Sequence, residues 1–187
     1  MSNVKQANRP LTVEEYIQLE LQSERRHEYV NGRIIEMPEE KEINNRIAIN
    51  ICVFLRRQLK QKGFNVYIND VKVASHDRTK YFYSDVFATK EADNETNQYI
   101  KYEPELIVEV ISPSSHITDT VDKYIAYTQI PSLKYYMIVQ PETVYVSLYF
   151  KNIEGKWEVT TFVRSIDIVS LPLLDIQLPL VEVYGRS

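Results

Sequence analysis

One short run constrains the fold of this chain more than any other: Leu106 to Ile111, within "PELIVEVISPSS". Side chains alternate along a strand, so Val108 and Val110 share one face while Ile107, Glu109 and Ile111 share the other. Apolar residues on both faces predict a central strand, covered on both sides by other elements. Yet one carboxylate, Glu109, stands inside it. Ionised and unpartnered there, it costs several kcal/mol. It must be paired with a cation, protonated, or bound to a metal. For Glu109 alone, a buried ion pair is as good a reading as a metal ligand.

The elements around this strand follow from periodicity and punctuation. "LTVEEYIQL" predicts a short helix with Thr12 as N-cap and Glu15 as its capping-box partner. "RHEYVNGRIIEMP" predicts a hairpin turning at Asn31-Gly32, with Glu28 on its first strand. Apolar residues from Ile43 to Leu59 recur at steps of three and four, giving a long amphipathic helix over 41–62 that Gly63 ends. "FNVYINDVKVAS" and "KYFYSDVFAT" read as two strands, and 90–97 as a loop. A helix from Ile117 to Ile130 stops at Pro131, and "KYYMIVQ", "TVYVSLYF" and "WEVTTFVR" are three further strands. This order predicts a mixed sheet with helices packed on it, class α/β or α+β.

With 187 residues there is room for one well-filled core and not for two ordinary domains. Residues 1–10 are polar and read as a flexible N-terminus, leaving 11–187 as a single domain. No membrane span and no secretory h-region is visible, so a cytoplasmic protein is the expectation. A net charge of −4 excludes a generally basic nucleic-acid coat but not a local basic channel. The single cysteine and three scattered histidines exclude a disulfide framework and the common zinc motifs. With only four glycines, no two of them close, neither a Walker loop nor a dinucleotide fingerprint can form. Any phosphate chemistry here must use metal and side chains.

Asp85 interrupts the aromatic and β-branched stretch "YFYSDVFA" much as Glu109 interrupts its own strand. Two acids on adjacent strands can converge on one hard cation, and magnesium asks for only one or two carboxylates. A lone aspartate in such a place is more often a turn residue at a strand end. Asp119, Lys123 and Tyr127 are spaced by four and four, so they share a helix face. Most Asp–Lys pairs at that spacing are surface salt bridges worth a few tenths of a kcal/mol. This helix, however, starts just beyond the strand that carries Glu109, and its lysine can reach back over the strand end.

Taken together, "SDV", "EVISPSS", Asp119, Lys123 and Tyr127 in order, then "IPSLKYYMIV", resemble the bacterial Uma-two family of restriction-endonuclease-like proteins, a branch of the PD-(D/E)XK nuclease superfamily. "HEYVNGRIIEMP" and "LTVEEYIQL" match the same pattern, so the resemblance spans roughly residues 11 to 150. It implies a restriction-endonuclease-like core: a central mixed sheet of four or five strands, flanked by helices and elaborated by further strands. It further implies that Asp85 and Glu109 hold Mg²⁺ (or Mn²⁺), that Glu28 is a third ligand or orients a metal-bound water, and that Lys123 is the superfamily's lysine. Asp119 and Tyr127 would fix that lysine. There are departures. Ile111 stands where superfamily members usually carry the lysine, Ser84 stands where proline would precede Asp85, and "INNR", with Asn44 or a neighbour, stands where the family often has a histidine.

The expectation is therefore a metal-dependent DNA endonuclease, with a homodimer as the simplest way to cut two strands. Arg56, Arg57, Lys60 and Lys62, with Arg25, Arg26 and Arg33, are available to neutralise phosphates, though cations at a helix C-terminus also serve the dipole. The rival is a non-catalytic nucleic-acid-binding or protein-interaction module that keeps the fold. An ion pair between Glu109 and a protein cation, with no open coordination position, would favour that rival. A hydrolase of some other phosphoester would share the site.

Overall fold

The computed structural model describes residues 9–92, 98–111 and 117–185, with only the backbone of 117–119. Its elements in chain order are α1 (Val13–Gln22), β1 (His27–Val30), β2 (Arg33–Glu36), α2 (Glu42–Leu59), β3 (Asn65–Ile68), β4 (Lys72–Ala74), β5 (Lys80–Tyr83), β6 (Val86–Thr89), β7 (Ile100–Lys101) and β8 (Pro104–Val110). Then come α3 (Ile117–Thr128), β9 (Tyr135–Gln140), β10 (Tyr145–Lys151), β11 (Trp157–Phe162), β12 (Ile168–Leu171), β13 (Ile176–Pro179) and α4 (Leu180–Tyr184). No helix among the described residues is long and apolar enough to cross a membrane.

The predicted central strand is central. β8 lies fourth in a six-stranded sheet of order β11-β10-β9-β8-β6-β3. It is antiparallel to β6 and parallel to β9. Parallel neighbours need a crossover, and α3 supplies it. Leu106, Val108 and Val110 pack in the cluster formed by α2, whereas Ile107 packs with Ala126, Tyr127 and Ile130 from α3 and the turn after it. Glu109 belongs to the same face as Ile107, so it points under α3.

The six-stranded sheet extends the expected central four or five strands by further ones, and the chain changes sheets twice. The stretch read as one strand over 64–75 is two, β3 and β4, and the stretch over 80–89 is also two, β5 and β6. β3 and β6 join the six-stranded sheet, while β4 and β5 join a second one of order β2-β1-β5-β4-β7. Asn69, at φ +58, turns the first switch and Ser84-Asp85 the second. Asp85 is thus a bend residue at a strand start. A C-terminal hairpin, β12 with β13, packs on α2 together with α4; nothing in the periodicity had announced it.

Local chemistry holds the entry to the second sheet. Thr12 Oγ1 accepts from the Glu15 N–H at 3.2 Å and Glu15 Oε2 accepts from the Thr12 N–H at 2.9 Å, the expected capping box. Asn31 and Gly32, at φ +50 and +87, make the two-residue turn between β1 and β2.

Candidate active site

Topology alone brings the suspected residues together. Val86 of β6 lies opposite Val108 of β8, so continuing that register by one residue sets Asp85 opposite Glu109 on the α3 side. Like charges facing each other across strands repel. α3 then crosses that face. Lys123, Ala126, Tyr127 and Ile130 are spaced by three, four and seven residues, which is the buried stripe of an amphipathic helix. Lys123 is therefore no surface lysine: it is 5% exposed.

The ammonium of Lys123 sits between two carboxylates, 3.0 Å from Glu28 Oε1 and 3.5 Å from Glu109 Oε2. Tyr127 donates its hydroxyl to Glu109 Oε1 at 3.0 Å. Glu28, brought in by β1 of the second sheet, also accepts from the Tyr83 N–H at 3.3 Å. Asp85 Oδ2 accepts from the Val110 N–H at 2.6 Å, and its Oδ1 has no partner among the described residues. Glu28, Asp85, Glu109 and Lys123 all line one cavity of about 600 Å³. The side chain of Asp119 lies outside the described residues.

Burial dominates the electrostatics. It pushes the Glu109 carboxyl up to about 8, with Asp85 and Glu28 adding to the rise and Lys123 and Tyr127 opposing it. Burial likewise pushes Asp85 up to about 6; the Val110 N–H opposes this, and Glu40 adds to it. Both causes are the cost of taking carboxylates out of water next to one another. The wall also carries Glu36, Glu40 and Asp122, and Lys123 is the one cation lining the cavity among the described residues.

Negative charge in such excess suits a divalent cation. Among the described residues no three His, Cys, Asp or Glu side chains form a ready-made cage. Magnesium needs less, since one or two carboxylates suffice when waters fill the remaining positions. Asp85, with an uncommitted oxygen, and Glu109 opposite it fit that demand. The Glu109–Lys123 contact, in contrast, is the feature expected of the rival reading.

Four acidic or amide residues of the wall were given no role in the sequence: Glu36, Glu40, Asp122 and, beyond its place in "INNR", Asn44. Glu40 and Asn44 come from the loop before α2 and from its first turn, far from Glu109 in sequence. Asp122 neighbours Lys123, and the helical period alone gave it no partner. The basic residues Arg56, Arg57, Lys60 and Lys62 do not line the cavity. Asn44 marks the site end of α2, and the helix sets Arg56 and Arg57 about 18–20 Å further along its axis. Arg26 stays near, its guanidinium 5.7 Å from the centre of the Tyr83 ring.

A family profile described as "Uma2: Putative restriction endonuclease" matches residues 13–181. The chain belongs to the Uma2 family. The match runs past residue 150 and takes in the C-terminal hairpin. Two uncharacterized proteins of Synechocystis sp. are similar: slr1290 is 30% identical over 83% of this chain and 82% of its own length. The second, sll1609, is 28% identical over 80% of this chain and 86% of its own. A crystal structure of a putative nuclease belonging to DUF820, from Anabaena variabilis, has the same fold: TM-score 0.76, with 94% of this chain and 98% of that one covered at 16% identity. The fold of this Uma2 chain is thus restriction-endonuclease-like.

Proposed function

We propose that residues 11–187 form one nuclease-like domain that hydrolyses phosphodiester bonds of DNA with a divalent metal, Mg²⁺ or Mn²⁺, held by Asp85 and Glu109. The observation that carries this reading is the pairing of two elevated, facing carboxylates at a cavity that one buried lysine shares. A bound cation there would polarise the phosphate and acidify water. Lys123 lends hydrogen bonds to a phosphate oxygen as charge builds on it. Glu28 and Tyr127 fix Lys123 and Glu109 from either side, so that neither has to reorganise. A two-fold pair of such domains is the simplest arrangement for cutting both strands.

The second reading, a non-catalytic binding module, draws on the Lys123 contacts to Glu28 and Glu109. Cleavage of supercoiled plasmid separates the two. Wild type with Mg²⁺ or Mn²⁺ is expected to nick or linearise it, and Glu109→Ala and Lys123→Ala, still folded by circular dichroism, to lose that activity. Activity that survives both changes would place the chemistry elsewhere. Failure of wild type to cut or to bind Mn²⁺ would favour the binding module.

A further inference from the structure

Resting on the nuclease reading, one role remains unfilled: a proton acceptor for the attacking water. Most carboxylates around the cavity are already engaged. Glu28 and Glu109 face Lys123, the free oxygen of Asp85 is assigned to the cation, and Glu36 is ion-paired with Arg25. Glu40 and Asp122 remain, both exposed.

Glu40 is the one that is held. Asn44, one helical turn on, donates Nδ2 to Glu40 Oε2 at 3.1 Å and to the Val110 carbonyl at 3.4 Å. Both neighbours are acceptors, so only the NH₂ of the amide can face them, and its orientation is fixed. Asn44 Oδ1 is buried with no hydrogen-bond partner among the described residues. Such an idle acceptor is unfavourable, and its presence points to a task for the other end of the amide. The backbone of Val110 is held at both its groups: its N–H donates to Asp85 and its C=O accepts from Asn44. One residue's backbone thus ties Glu40 and Asp85 to a common frame at the cavity wall. Asp122 has no such tether among the described residues.

We propose that Glu40 accepts the proton of the attacking water and that Asn44 is the positioning residue that keeps its carboxylate at the cavity. In that step a water O–H gives its proton to Glu40, and the oxygen bonds to phosphorus. The bond from phosphorus to the leaving sugar oxygen breaks, and that oxygen takes a proton from solvent.

The test combines a kinetic cycle with a structure. Glu40→Gln is expected to lower single-turnover cleavage roughly 100-fold or more while leaving Mn²⁺ affinity unchanged. Asn44→Ala is expected to lower it roughly tenfold, since one tether is lost. The double variant should be no slower than Glu40→Gln, because Asn44 acts through Glu40. A crystal structure of Asn44→Ala should show Glu40 turned away from the cavity. Additive losses, a loss carried by Asp122→Asn instead of Glu40→Gln, or Glu40 unmoved in that crystal would each overturn the assignment. If wild type cuts nothing, the nuclease reading falls and the proton-accepting role falls with it, while the crystal still decides whether Asn44 positions Glu40.

Discussion

Glu109 shows how one carboxylate couples stability to pH. Its folded value, about 8, lies above the ordinary 4.5, so the folded chain holds this proton more tightly than the unfolded one. The stability tied to that proton is fully present below about pH 4.5 and is lost as pH rises through about 8. Asp85 acts in the same direction between 3.8 and about 6. Wild type should therefore lose stability from pH 5 to 8. Glu109→Gln, which has no charge to bury, should gain relative to it by about 1 kcal/mol or more over that range. Urea unfolding at both pH values checks this, and parallel curves would refute it. Ser84 gives a second residue-level case. It is 1% exposed and its hydroxyl finds no partner among the described residues. Ser84→Ala is expected to leave melting temperature unchanged or raise it, since an unsatisfied buried hydroxyl is removed.

Elements differ in how far their sequence reveals them. The capping box, the Asn31-Gly32 turn, α2 and the central strand are local patterns, and each could be recognised within a dozen residues. The turn has a strict requirement as well. Gly32 sits at φ +87, and a Cβ there would meet the Pro10 Cβ at 2.4 Å. Gly32→Ala should cost roughly 1–3 kcal/mol, read as a drop in melting temperature. Sheet membership was not legible. Nothing local distinguishes Lys80–Tyr83 from Val86–Thr89, and only their partners, β1 and β4 for one and β8 and β3 for the other, divide them. The candidate cavity was legible where a charge broke an apolar pattern, as at Glu109 and Asp85. Lys123 was legible by its helical spacing. Glu40 and Asn44 sit in a polar stretch where a charge breaks nothing, so their tie to Val110 appears only in three dimensions.

Across the whole molecule, the length of α2 separates the cavity from much of the basic charge. α2 packs on one face and α3 on the other; α2 reaches the cavity at Asn44, and Arg56, Arg57 and Lys60 lie at its other end. Replacing these three with alanine should change plasmid cleavage by no more than about twofold, and a larger loss would mean that DNA reaches that end. The account stands most directly on the cation that Asp85 and Glu109 are proposed to hold. Calorimetric titration of Mn²⁺ into wild type and Glu109→Gln, in buffers of different ionisation enthalpy, measures both affinity and released protons. The expected result is saturable binding to wild type that releases protons near pH 7, tightens as pH rises towards 8, and is lost in Glu109→Gln. Wild type that takes up no Mn²⁺, or binding that ignores the substitution, would contradict it.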